Sequence, residues 1–167
     1  MENLEASRPV IDEVWAEYAR MFGRQYNPVE IYPAGLTAKP KTLLMTMGSY
    51  SETAMEAIDK MRDEGKDVGL IRLRLWRPFP FAELRRSVEG ADVLVVLDRA
   101  ISFGGPGGPV CSEVRSALYG EVNRPRIANI VGGLGGRDIT VAGFESIIER
   151  GIELSRMPRA PEFEMFG

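Results

Sequence analysis

The sequence predicts an α/β fold built on a mostly parallel sheet, and two observations carry that prediction. Short apolar runs alternate with segments whose apolar residues recur every three or four positions, the order that yields a strand and its covering helix in turn. Val93 to Leu97 is a continuous, valine-rich apolar run, too short for an ordinary helix, as expected of a strand buried on both faces. It ends at Asp98-Arg99 and enters a loop holding Gly104, Gly105, Gly107 and Gly108; Pro109 then suits the first turn of a helix to about Tyr119. Strand, glycine loop and helix in that order put the loop at the carboxyl edge of the sheet, where open α/β folds meet ligands or partner surfaces.

From the start of the chain, Ser7 is expected to cap a helix whose Val10, Val14, Tyr18, Met21 and Phe22 share one side, widened by Trp15. It stops near Gly23. Residues 24–41, with Pro28, Pro33, Gly35 and Pro40, read as a connector holding at most one short strand at Val29 to Tyr32. Thr42 to Met47 is a second apolar strand, followed by Gly48-Ser49 and a helix in which Ser49 and Glu52 have capping-box spacing. Ala54, Met55, Ile58 and Met61 form its inner face, and Gly65 closes it. Val68 to Trp76 alternates, with Arg72 and Arg74 on one face, so this strand is expected near a sheet edge or beneath a polar neighbour. Arg77-Pro78-Phe79-Pro80 forms a rigid corner, both Xaa-Pro bonds expected trans, leading into a helix through Val88. Arg126 to Val131 is a further strand, entering Gly132-Gly133-Leu134-Gly135-Gly136-Arg137-Asp138; Thr140 caps a last helix that buries Phe144, Ile147 and Ile148. The expected organisation is a leading helix and connector at 1–40, an α/β domain at 41–157 and a tail at 158–167 without clear periodicity.

Composition narrows the chemistry. With 21 basic against 24 acidic residues, interspersed, neither nucleic acid nor an anionic membrane is expected as a partner. Cys111 is the single cysteine, which excludes a disulfide, a CxxC motif, a thiolate zinc site and a cluster-binding set. Histidine is absent, removing the commonest general base and every Ser-His-Asp or Cys-His pair. No apolar run approaches the roughly 20 residues of a membrane span, and the start lacks the pattern of a signal peptide, so a cytoplasmic protein is expected.

Both glycine loops invite a phosphate reading, since glycine lets backbone amides approach an anion at a helix start. Neither carries the lysine and hydroxyl of GxxxxGK[ST], and Asp138 stands where the last glycine of GxGxxG would fall. Positive φ and close backbone contact, including contact with another chain, is the preferred use. Asp98-Arg99 and Arg137-Asp138 offer charge pairs if their strands run parallel. Cys111, early in its helix where the dipole lowers a thiol pKa, is read as packing rather than as a nucleophile.

In order, Gly48-Ser49, RLRLWRPFP (Arg72 to Pro80), Asp98-Arg99 to Gly104, Gly107-Gly108-Pro109 and GGLGGRDIT (Gly132 to Thr140) resemble the carboxyl-terminal part of the α subunit of pyruvate:ferredoxin and related 2-oxoacid:ferredoxin oxidoreductases. The resemblance implies a transketolase carboxyl-terminal-like domain, a three-layer arrangement with a mainly parallel five-stranded sheet and helices on both faces. It implies an assembly domain of an enzyme that oxidatively decarboxylates a 2-oxoacid, pyruvate foremost, to an acyl-coenzyme A. Thiamine diphosphate, magnesium, iron–sulfur clusters and coenzyme A belong to the whole complex and none is expected on this chain alone, which is expected inactive by itself. Partners implied are the other subunits or domains of the oxidoreductase, a second copy of the chain, and ferredoxin through the complex. No catalytic or metal-binding residue is assigned; Gly48, Ser49, Arg77, Asp98, Arg99, Gly107, Gly108, Gly133, Gly135, Arg137 and Asp138 are expected at an interface or active-site rim. Two other readings stay open: an autonomous phosphate- or nucleotide-binding module, and the matching domain of another thiamine-dependent enzyme.

Overall fold

A computed structural model describes residues 2–167. Two helices, α1 (Glu2–Glu5) and α2 (Ser7–Phe22), lead into β1 (Val29–Tyr32). The chain then alternates: β2 (Thr42–Met47), α3 (Tyr50–Asp63), β3 (Val68–Leu73), α4 (Phe81–Val88), β4 (Val93–Asp98), α5 (Pro109–Leu118), β5 (Arg126–Gly132), α6 (Val141–Arg156) and β6 (Glu164–Phe166). The strands form one sheet in the order β1-β3-β2-β4-β5-β6, parallel throughout except for β1, which runs antiparallel along β3.

The period of two along each strand divides the core. Val93, Val95 and Leu97 of β4 face the side covered by α3 and α6, with Ala54, Ile58, Phe144 and Ile148. Leu94 and Val96 face α4 and α5, with Leu84, Val88, Val110 and Leu118. Burial of one such side chain, as of Phe144, contributes about 1.5–3 kcal/mol. Helices on both faces, period-two strands and mostly parallel pairing agree with the expected α/β class. No helix among the described residues is long and apolar enough to cross a membrane.

Several local expectations are corrected. The sheet has six strands rather than five, because the tail supplies β6; three residues pairing with Ile130 to Gly132 are too few to show a period in the sequence. The Arg77–Pro78 peptide is cis, as is Tyr32–Pro33. Ser7 does not cap α2; its hydroxyl donates to the Leu4 carbonyl at 2.6 Å. Ser49 does not cap α3 either, because its backbone is already helical and Glu52 turns instead to Arg72. Thr140 does cap α6, accepting from Gly143 N at 3.1 Å. The stripe Val10, Val14 and Met21 on α2 faces solvent; Ile11, Trp15 and Tyr18 are half-buried, and Arg8 anchors the helix on Glu83 of α4 at 2.6 Å.

Regular pairing of β3 stops at Leu73, where Arg74 and Leu75 donate instead to the Pro28 carbonyl. Its two arginines do lie beneath a polar neighbour: Glu30 of β1 sits opposite Arg72 and pairs with Arg74 Nε at 2.7 Å.

Candidate functional site

The chain leaves β2 for β3 on one side and returns to β4 on the other, so the sheet reverses its order between β2 and β4. A reversal of this kind opens a crevice beyond the carboxyl ends of the two strands. Gly48-Ser49 follows β2, Arg99 follows β4, and the glycine loop from Gly133 follows β5 on the same edge. The three are tied together by Tyr50. Its ring lies under the Arg99 guanidinium at 4.2 Å, and its hydroxyl donates to the Arg137 carbonyl at 2.7 Å. Arg99 Nη2 reaches the Gly133 carbonyl at 3.4 Å. Gly48, Ser49, Arg99, Gly133, Gly135 and Arg137 therefore share one rim, of which Gly133 is the buried floor.

The other loop is closed and its charge is internal. A small hairpin, pinned by Ser102 N donating to the Gly107 carbonyl at 2.9 Å, carries the chain from β4 to α5. Behind it Asp98 is fully buried and accepts from Val110 N at 2.8 Å, Cys111 N at 3.1 Å and Asn129 Nδ2 at 3.0 Å. The first-turn amides of α5, which would greet a bound anion, are thus already taken by the protein's own carboxylate. Burial raises the Asp98 pKa above the ordinary aspartate value, opposed by these donors and by Arg115. Asn129 closes the circuit by accepting from Gly108 N at 2.9 Å. A methyl group on Gly108 would overlap the Asp98 carboxylate, which is why glycine stands there.

The expected Asp98-Arg99 and Arg137-Asp138 charge pairs are absent among the described residues: Asp98 turns inward to backbone amides while Arg99 turns outward to an aromatic ring. Asp138 is exposed and forms no ion pair, and Arg137 contributes its carbonyl. Arg77 makes none of these rim contacts; it is stacked on Trp76 at 4.6 Å and paired with Glu113 of α5, where it fastens the proline corner. The Cys111 thiol is buried and its pKa is pushed up to about 12 by desolvation, which overcomes any help from the helix dipole. Sequence reasoning missed three residues. Asn129 carried a signal, a lone amide inside an apolar strand, since buried polar groups require partners. Phe103 carried a weaker one, an aromatic amid glycines; it is 98% exposed. Tyr50 carried none.

Residues 41–144 match the family described as pyruvate:ferredoxin oxidoreductase core domain II. The chain belongs to that family. Relatives of this core domain II chain include pyruvate synthase subunit PorA of Methanothermobacter thermautotrophicus, 39% identical over 147 residues, or 88% of the chain and 36% of that protein. Ketoisovalerate oxidoreductase subunit VorA of Pyrococcus abyssi is 36% identical over 162 residues, 95% of the chain and 40% of that protein. The chain thus spans little more than a third of the length of these relatives. Among solved structures, the inactive β4 tetramer of a split-gene transketolase superposes with a TM-score of 0.57 at 16% identity, over 80% of the chain and 44% of that one. A 2-oxoglutarate:ferredoxin oxidoreductase from Magnetococcus marinus gives 0.52 at 20%, over 81% and 21%. Both show the fold.

The residues present do not fit an iron–sulfur cluster or a metal ion held by side chains. One buried cysteine cannot supply the four thiolates of an iron–sulfur cluster, and no group of three metal-ligating side chains occurs among the described residues.

Proposed function

We propose that this chain is an assembly domain of a 2-oxoacid:ferredoxin oxidoreductase α subunit, with pyruvate as the oxoacid, acting in the cytoplasm. In this reading residues 41–157 are the domain proper, held by the leading helix and connector (1–40) and by the tail (158–167). The rim of Gly48, Ser49, Arg99, Gly133, Gly135 and Arg137 meets the companion subunits or domains. Thiamine diphosphate, magnesium, iron–sulfur clusters and coenzyme A would be held by those companions, which would also face ferredoxin.

One observation carries the choice of assembly over small-molecule binding: Asp98 fills the amino-terminal end of α5, so the Val110 and Cys111 amides at the helix start behind the glycine loop are engaged and not offered to a phosphate. The carboxylate at this helix start disfavours a phosphate site there. Higher identity to the oxidoreductase subunits than to the transketolase supports this reading over that of another thiamine-dependent enzyme. Purified chain, assayed with pyruvate, thiamine diphosphate, magnesium, coenzyme A and an electron acceptor, is expected to show no turnover above a protein-free control. Activity should appear only when thiamine- and cluster-bearing subunits are added. Turnover by the chain alone would overturn the proposal.

A further inference from the structure

The amino-terminal edge of the sheet, opposite the rim, holds a recess that shares no lining residue with it. Its origin is the shortness of β6, which pairs only with Ile130 to Gly132 and leaves the first half of β5 without a neighbour on that side. Between the ends of α5 and α6 and residues 157–160 this leaves an open cavity of about 530 Å³, in the size range of small-molecule sites.

Its lining contains Arg115, Arg124 and Arg126 and no carboxylate. That is unexpected in a chain with more acidic than basic residues, where cations such as Lys60, Lys66 and Arg150 are paired with glutamates. Arg115 meets one carboxylate, Glu162, at 4.0 Å, and that side chain is 76% exposed. Its Nη2 is fixed by the Glu162 carbonyl at 3.0 Å. Arg124 is fixed through Nη1 by the carbonyls of Tyr119 and Glu121, at 2.8 and 3.2 Å. Arg126 forms no ion pair among the described residues, nor do Arg156 and Arg159, which flank the lining residues Met157 and Pro158. Compensation of helix ends accounts for Arg124 and Arg156, since a carboxyl end carries only about half a negative charge. Arg126 starts a strand and caps nothing. Two guanidinium groups tethered through one edge, with a third beside them, present forks that match the oxygens of phosphate groups.

We propose that this recess binds a small anion of the phosphate class carrying at least two negative charges, with the exposed Tyr119 ring and the Met157-Pro158 wall available to an attached organic group.

Calorimetric titration of the full chain with pyrophosphate and with adenosine diphosphate tests this. At least one is expected to bind with a Kd below about 1 mM, and Arg126→Gln should weaken it about tenfold, while Lys66→Gln at a distant ion pair leaves it unchanged. Equal binding of both probes would mean that the anion alone is recognised. Tighter adenosine diphosphate, lost on Tyr119→Ala, would mean an organic phosphate; either result supports the site. Absence of binding by both probes overturns it, as does binding untouched by Arg126→Gln in a variant with wild-type unfolding temperature. Stronger competition by poly-glutamate than by pyrophosphate would overturn it in favour of an acidic protein surface. These outcomes are independent of whether the chain assembles into an oxidoreductase.

Discussion

At the scale of single residues, Asp98 decides what the central loop is for. A carboxylate with three donors, two of them first-turn amides of α5, replaces an external anion with an internal one and fixes the loop by the same bonds. Asp98→Asn keeps the shape but cannot accept from all three donors, and leaving one unmatched costs about 1–3 kcal/mol in urea unfolding. The pH dependence has a definite sign. Because the folded pKa is raised above the ordinary 3.8, the folded state binds more protons than the unfolded state between those values. The stabilisation from this extra protonation is complete below 3.8 and is lost as pH rises through the folded value. The stability gap between wild type and Asp98→Asn should therefore narrow as pH rises from 3.8 through the folded value and then level off; a gap that widens over that range would mean the donors, not burial, dominate. The glycines here answer to the same sterics. Gly107 (φ +121°) and Gly133 (φ +71°) lie against Asn129 and Tyr50, so valine at either position would test folding rather than surface contact.

Among the elements, the tail strand shows how little sequence is needed to complete a sheet. β6 is held by Arg150 of α6, which grips Glu164 through Nε and Nη2 at 2.7 and 2.8 Å, and by Phe166, packed on the core cluster beside Gly132 and Gly143. The pairing lowers the Glu164 pKa and raises that of Arg150, but both groups are partly exposed and solvent screens the benefit. Phe166 is then the firmer attachment. Phe166→Ala should destabilise the chain by about 1–3 kcal/mol and expose residues 158–167 to limited proteolysis, whereas Arg150→Met should do less. Equal effects of the two substitutions would show that the ion pair, not the ring, holds the strand.

For the whole molecule, the carboxyl edge of the sheet is, on the assembly proposal, the face that meets a partner. Tyr50 braces three loops there, and Phe103 stands 98% exposed on a hairpin closed by its own backbone bonds. A large aromatic side chain on a rigid support is the kind of residue that anchors protein interfaces. On the assembly proposal, Phe103→Asp should weaken association with companion subunits, or with a second copy, by about tenfold or more in sedimentation while the unfolding temperature stays put. Unaltered association would remove this loop from the interface.

The parallel β2–β5 framework, its helices and the clustering of glycine loops on one edge were legible in the chain, because each follows from local periodicity and turn chemistry that a short window contains. Family kinship was legible too, in the RPFP corner and the GLGGRD loop. Other features needed the third dimension. Asp98 reads as half of a surface ion pair until Val110, Cys111 and Asn129 are brought around it from 12, 13 and 31 residues away. β6 has too few residues to declare a period, and the arginines at 115, 124 and 126 are ordinary surface charges until an unpaired half-strand gathers them around one recess. Local order is written in spacing along the chain. Which polar groups meet, and which charges lack a partner, depends on distances in space that only the packed sheet sets.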